Sequence, residues 1–126
     1  MIGSRIAEAI GKGRGSWQSV VAVGTSQARV DRVASNRRIR QSDGTIVSRS
    51  SSTKDPKLHA APEGLIDPFL KTVSLIGGNG KPVAQIHYYA THPQSFYRDG
   101  RISYDVPGIA REQLQEKTGI FQVYFT

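Results

Sequence analysis

The residue with the clearest chemical potential in this sequence is His92. It lies just after residues 82–90, an apolar segment typical of a buried strand, and is followed by Pro93. Open α/β sheets bind ligands at the carboxyl ends of their strands, and a neutral imidazole is a common zinc ligand. His92 is therefore a candidate metal ligand. Spacing alone favours the alternative of a histidine that is hydrogen-bonded at a strand end, because zinc needs three or four ligands and no second one is evident nearby.

The other two histidines are less suited to the same site. His87 lies five positions before His92, so strand alternation would place the two side chains on opposite faces. We therefore do not expect these two residues to share a metal. His59 falls in a polar segment, where a solvated role is expected.

Further candidates lie on either side of this segment. Asn36 and Arg37 follow a predicted strand, and a guanidinium can bind a carboxylate, a phosphate or a developing oxyanion through paired donors. The alternative is a pair of solvated side chains. Ser103 and Asp105 precede a predicted helix, where their usual role is to cap it. Either could instead form a hydrogen bond to the His92 imidazole and so fix its orientation.

The elements that must position these residues include both helices and strands. Gly and Asn at residues 77–80 predict a hairpin, and Gly119 predicts the end of a helix that has Pro107 in its first turn. We expect the last strand to be central, because it is strongly apolar. Helices are predicted over residues 2–11 and 105–118, and strands over 19–24, 28–33, 45–47, 70–76, 82–90 and 120–125. The predicted fold class is α/β, a mixed β-sheet with flanking helices.

Residues 41–64 have a different character. They are rich in Ser, and Asp55-Pro56 and Pro62 are expected to interrupt regular structure. This pattern predicts a long polar surface loop, and loops of such length often help to build a site. Because the opening helix has no cap and the last strand no following turn, we expect residues 1–126 to be a single partial domain, an interior fragment of a larger layered α/β domain.

Composition narrows the classes of protein further. The chain has 126 residues, of which 37% are hydrophobic, and no Cys, so it can bury a core but has no disulfide or thiolate metal site. No apolar run approaches the roughly 20 residues of a membrane helix, and no signal peptide is evident. The net charge of +7 raises the question of nucleic acid. The basic residues are scattered and no P-loop or zinc-finger spacing accompanies them, so no nucleic-acid partner is expected.

From Asn36 onward the sequence resembles the catalytic N-terminal domain of neutral/alkaline non-lysosomal ceramidases, and in particular bacterial ceramidase-like proteins. Each matching piece is short, and their order makes the combination specific. The pieces are Ser35-Asn36-Arg37-Arg38, Asp67-Pro68, Tyr89-Ala90-Thr91-His92-Pro93, Gly100-Arg101-Ile102-Ser103, Asp105, Gly108 and Ile109-Ala110-Arg111.

The resemblance implies a zinc-dependent amidohydrolase that acts on a linear amide C–N bond, in ceramide or another small-molecule or lipid amide. It implies that His92 ligates Zn²⁺ and that Arg37, with Asn36 beside it, lines the pocket and steadies the oxyanion. It also suggests a secreted or periplasmic location.

The sequence departs from the family's pattern in its ligand set. No histidine precedes His59 to supply the family's other zinc-binding histidine, and the expected glutamate and tyrosine ligands would lie beyond Thr126. The fragment alone is therefore expected to be inactive. The alternatives are a non-catalytic lipid- or carbohydrate-binding relative of the same fold and, less favoured, a small basic nucleic-acid-binding module.

Overall fold

A computed structural model describes residues 2–96 and 99–126 of the chain. Within these residues the helices are α1 (Ile2–Gly13), α2 (Pro56–Ala60) and α3 (Asp105–Thr118). The strands are β1 (Val20–Arg29), β2 (Arg38–Arg40), β3 (Ile46–Ser48), β4 (Phe69–Gly77), β5 (Pro82–Tyr88) and β6 (Phe121–Phe125). The predicted α/β class is confirmed, because helices accompany a sheet that has both parallel and antiparallel pairs.

The main sheet has the strand order β1-β4-β5-β6. Strands β1, β4 and β5 are antiparallel in turn, and β6 runs parallel to β5. The predicted hairpin joins β4 to β5. Its turn is closed by a hydrogen bond from Gly77 N to Lys81 O at 2.9 Å, and Gly80 has a φ of 75°, which a residue without a Cβ adopts readily.

Helix α3 crosses from β5 back to β6, and its predicted bounds are correct. Gly119 ends the helix in the left-handed region, with a φ of 68°, and its amide donates to Gln115 O. This is the usual geometry of a glycine C-cap. The crossover places α3 beside β6 and brings the loop that contains His92 to the start of the helix.

The first strand is longer than the sequence predicts. Residues 19–24 and 28–33 were expected as two strands, but β1 is continuous through Arg29 and the chain then leaves the sheet. Arg32 has a φ of 63°, a left-handed conformation that breaks an extended strand. The segment 30–37 consequently runs beside the sheet as irregular chain, and Arg37 is presented from a loop.

The predicted loop 41–64 contains two short regular elements. Strand β3 overlaps the predicted segment 45–47 and pairs with β2 in a small antiparallel sheet. The expectation that Asp55-Pro56 interrupts regular structure is wrong, because this dipeptide starts α2. The Asp55 carboxylate accepts from Lys57 N at 2.9 Å, and Pro56 takes the first helical position, where its missing amide is not needed.

Within the described residues β6 lies at an edge of the main sheet and pairs with β5 alone, so the expectation of a second neighbour for this strand stays a prediction. The sheet face that meets α3 is polar and includes Gln122, which is 0% exposed. The opposite face is apolar and exposes Val23 and Phe121, since residues in register across neighbouring strands share a face. Strand β5 is therefore half-buried rather than buried on both faces.

Among residues 2–96 and 99–126, none of the helices has the length and apolar character that a membrane span requires.

Candidate ligand-binding cavity

An open cavity of about 650 Å³ lies between the polar face of the main sheet, α3 and the loops that precede β4. Irregular residues 30–37, the segment 49–59 and the loop 89–95 form its rim, while α3 and β6 close other sides. A volume of this size suits a small organic ligand. The cavity therefore combines walls from parts of the chain that are distant in sequence.

His92 lines this cavity from the loop that follows β5. Its side chain is exposed, and no hydrogen bond or ion pair among the described residues engages its ring. His59 and His87 line the same cavity. The expectation that His87 and His92 point to opposite sides is therefore wrong, because β5 ends at Tyr88 and the backbone turns there, with Thr91 N donating to Tyr89 O at 2.8 Å.

His87 is held in a chain of buried hydrogen bonds. Its side chain is 8% exposed, and its Nε2 lies 2.7 Å from Gln122 Oε1. The Gln122 amide nitrogen donates to Ile120 O at 2.9 Å, which leaves Oε1 as the acceptor that faces the imidazole. His87 therefore carries its proton on Nε2, and its Nδ1 accepts from Thr72 Oγ1 at 2.8 Å. With both nitrogens engaged, this histidine is structural in the arrangement described.

Arg37 lines the cavity and contacts the loop that contains His92. Its Nη2 donates to Gln94 Oε1 at 3.0 Å, so two residues after His92 the loop is tied to the arginine. The guanidinium keeps further N–H donors beyond this bond. The structure thus brings Arg37 and His92, both predicted site residues, to one cavity.

Asn36 has a different role from Arg37. Its side chain donates from Nδ2 to Leu65 O at 3.0 Å and accepts from Arg38 N at 2.8 Å, and it is not among the residues that line the cavity. These bonds fix the backbone on both sides of Arg37. Asn36 is accordingly placed to shape the loop rather than to contact a ligand in the cavity.

Arg49 was not predicted as a site residue, yet it forms part of the cavity wall. It is only 9% exposed, and its terminal nitrogens donate to four backbone carbonyl oxygens, those of Asn36, Leu58, Ala61 and Pro62. The buried Nε finds no partner among the described residues. Arg49 therefore organises the loop around α2 while placing a positive charge at the cavity wall.

Ser103 and Asp105 act at the start of α3. The Ser103 hydroxyl accepts from Asp105 N at 3.0 Å, and the Asp105 carboxylate accepts from Val106 N at 2.6 Å and Ser95 N at 2.9 Å. The Val106 amide, together with Ser95, holds the pKa of the Asp105 carboxyl below its ordinary value of 3.8. Neither residue bonds to His92 in the part of the chain that the structure describes, and neither lines the cavity. Asp105 instead anchors the loop that carries His92.

Two tyrosines contribute to the cavity wall, Tyr124 from β6 and Tyr89 from the loop that follows β5. Tyr89 is 4% exposed, and its hydroxyl is buried without a hydrogen-bond partner among the described residues. The Tyr124 hydroxyl donates to Tyr89 O at 3.4 Å, and burial raises its pKa. Buried tyrosine hydroxyl groups normally find a partner. The Tyr89 hydroxyl therefore departs from this pattern within the described residues.

The described residues do not form a metal site by themselves. No group of three or more His, Cys, Asp or Glu side chains within residues 2–96 and 99–126 is arranged to hold a metal ion. His87 lines the cavity, but its nitrogens are taken up by Thr72 and Gln122. Among the described residues the ring of His92 is thus available as a ligand. Zinc needs three or four ligands.

Comparison with known proteins finds no matching family model, no matching curated protein and no matching solved structure. The resemblance to ceramidases therefore remains a hypothesis that depends on the residues quoted above.

Sequence reasoning missed Arg49, Arg111 and Tyr89. Arg111 stands on α3 at the edge of the apolar stripe and lines the cavity. The signal for Tyr89 was its place at the end of an apolar strand, directly before His92. No pattern in the sequence indicated Arg49, because its burial depends on backbone carbonyl groups of a loop whose conformation was not predicted.

Proposed function

We propose that this chain forms part of the substrate site of a hydrolase that cleaves an N-acyl amide bond. The observation that carries the proposal is that Arg37 and His92, which are far apart in sequence, line one cavity that also has extensive apolar walls. A cavity lined by both polar and apolar side chains suits a substrate that has an amide group and an acyl chain. The resemblance to ceramidases supports the same class of substrate.

The apolar part of the cavity supports the acyl-chain assignment. Aliphatic side chains come from the irregular segment after β1, from β4 and its approach, and from α3. They are Val30, Val33, Ile66, Leu70, Val106 and Leu114. Burying methylene groups against such a wall contributes about 0.8 kcal/mol each, so even a short acyl chain would contribute substantially to binding.

The proposed reaction is hydrolysis of the amide. Water forms a C–O bond to the acyl carbon, the C–N bond breaks, and the nitrogen takes up both protons of the water, so that a carboxylate and an ammonium group result. Arg37, whose guanidinium keeps donors beyond its bond to Gln94, would stabilise the negative oxygen of the tetrahedral intermediate. Gln94 would hold the guanidinium in position.

His92 is proposed as a zinc ligand in this hydrolase. The described residues do not complete a zinc site, so the proposal requires further ligands from outside residues 2–96 and 99–126. The absence of other side-chain bonds to His92 among the described residues is consistent with a ring kept available for coordination.

A non-catalytic lipid-binding relative is the second candidate. The incomplete metal site within the described residues favours it, because an apolar cavity with a polar rim can bind a lipid without cleaving it. The two candidates share the ligand and differ in turnover and in metal content.

The test is to express the protein with whatever flanking segments its gene encodes and to measure zinc content and release of fatty acid from N-dodecanoyl amides. The hydrolase proposal expects zinc near one equivalent and measurable turnover, with both reduced at least tenfold by His92→Ala. Gln113→Ala is the control, because Gln113 is exposed on α3 and lies outside the cavity, and it should retain both. Binding without turnover would establish the lipid-binding alternative, and full activity with zinc retained in His92→Ala would refute the role of His92.

A further inference from the structure

We propose that the cavity selects an acyl compound whose polar end is negatively charged, such as the carboxylate of an N-acyl amino acid, rather than a neutral acyl amide. This inference deepens the proposed function by naming the substrate class, and it rests on that function only for the cleavage step. The argument comes from the charges and the unpartnered groups of the cavity wall.

The charged residues at the cavity wall all have the same sign. They are Arg37, Arg49 and Arg111, and no Asp or Glu is among the lining residues that the structure describes. The ion pairs between described residues involve other cations, namely Lys12, Arg29, Lys71 and Arg101. Arg37, Arg49 and Arg111 thus form no ion pair with a carboxylate within the described part of the chain.

The charge of Arg49 has a larger electrostatic effect than that of an exposed arginine, because its guanidinium is buried. Its hydrogen-bond partners are carbonyl oxygens, which satisfy its terminal N–H groups without neutralising its charge. A buried charge without a counter-charge is unfavourable, and its electrostatic effect is larger than at an exposed site. An anion in the cavity would therefore be attracted by Arg49 even without touching it.

Direct contacts would come from other side chains. Arg37 has donors left beyond its bond to Gln94, and Arg111 makes no ion pair among the described residues. A carboxylate accepts hydrogen bonds at two oxygens and matches guanidinium geometry. A neutral hydroxyl end group would leave the positive charge of the wall uncompensated.

Binding of two ligands shows whether the cavity prefers an anionic or a neutral acyl compound. N-Dodecanoylglycine and N-dodecanoylethanolamine have the same acyl chain and amide and differ in a terminal carboxylate or hydroxyl. We expect the glycine conjugate to bind the full-length protein at least tenfold more tightly by calorimetry below micellar concentrations, which corresponds to about 1.4 kcal/mol. Raising the salt concentration should reduce the difference.

Single substitutions test whether the cavity wall causes the preference for the anionic ligand. Arg111→Gln and Gln94→Glu should each reduce the preference severalfold, the first by removing a cation and the second by giving Arg37 a competing carboxylate. Arg40→Gln, an exposed residue outside the cavity, removes the same charge and should leave the preference unchanged. Arg49 is not used, because its loss would disturb the loop that it organises.

The outcomes separate this inference from the proposed function. Tighter binding of the glycine conjugate without cleavage of either ligand would support the anionic class and refute the hydrolase. Equal or tighter binding of the ethanolamide would overturn the anionic class, whether or not that ligand is cleaved. A preference that Arg40→Gln reduces as much as Arg111→Gln would also overturn it, because net charge rather than the cavity would then be responsible.

Discussion

The His87 imidazole donates from Nε2 to Gln122 Oε1 at 2.7 Å, across the parallel strands β5 and β6. Gln122 is fully buried, and its amide nitrogen is in turn bonded to Ile120 O. Side-chain bonds of this kind join the two strands in addition to the backbone ladder. They also hold His87 in one tautomer at the floor of the cavity.

We predict that Gln122→Ala destabilises the chain by about 1–3 kcal/mol, because it leaves the buried N–H of His87 without an acceptor. Urea unfolding measures this difference. Gln113→Ala is the matched control, since Gln113 is exposed on α3, and it should change the free energy of unfolding by less than about 0.5 kcal/mol. Equal effects of the two substitutions would mean that the His87 bond contributes no stability.

Arg49→Lys should loosen the loop around α2. Lysine keeps the charge but cannot reach the carbonyl groups of Leu58, Ala61 and Asn36 together, as the planar guanidinium does. We expect a loss of about 1.5–3 kcal/mol and faster proteolysis within residues 50–62. Arg40→Lys, at an exposed position, should leave the cleavage pattern unchanged. Unchanged proteolysis in Arg49→Lys would contradict the organising role of Arg49.

Ionisation of Asp105 should make the free energy of unfolding depend on pH in the acid range. Its pKa in the folded chain lies below the ordinary value of 3.8, because Val106 and Ser95 donate to the carboxylate. As the pH falls, the unfolded chain binds the proton first, so the stabilisation is fully present above pH 3.8 and is lost as the pH falls through the folded-state pKa.

Asp105→Asn tests this dependence, and asparagine tolerates the left-handed φ of 55° at this position. We expect the variant to be less stable than the native chain at pH 6 and the difference to shrink below pH 3.8. Asp31→Asn makes the same charge change at an exposed residue and serves as control. A difference that stayed constant from pH 6 to pH 2.5 would rule out the predicted linkage.

Two glycine substitutions should have different effects. A Cβ at Gly108 would overlap the ring of Tyr104 close to its own backbone, where the side chain cannot simply rotate away. Gly108→Ala should therefore cost about 1–3 kcal/mol. Gly11→Ala adds the same methyl group where nothing lies within 4 Å, and alanine is the better helix former. Thermal unfolding should show a lower midpoint for Gly108→Ala and no decrease for Gly11→Ala.

The parts of the fold that local chemistry determines were predictable. The bounds of α3 follow from Pro107 and Gly119, and the β4–β5 hairpin follows from its glycine-rich turn. The pairing of β6 with β5 was not predictable, since apolar content does not specify the order of strands in a sheet. The short helix α2 was missed because its Asp-Pro start also signals a turn.

The candidate site was predicted only in part for a related reason. His92 and Arg37 follow predicted strands, and position along the chain was enough to single them out. Burial of Arg49 and Tyr89 arises from long-range packing, which composition and spacing do not encode. The shared cavity of His87 and His92 was missed because strand alternation was extended past Tyr88, where the strand ends.

The parallel pairing of β5 and β6 has a consequence for the order of folding. The β4–β5 hairpin closes a short loop, whereas β6 can pair only after the whole segment 89–120 has been brought back, which costs more chain entropy. We therefore expect β6 amides to exchange with deuterium faster than those of β4. The Tyr124 side of the cavity would then be the last wall to assemble and the first to open.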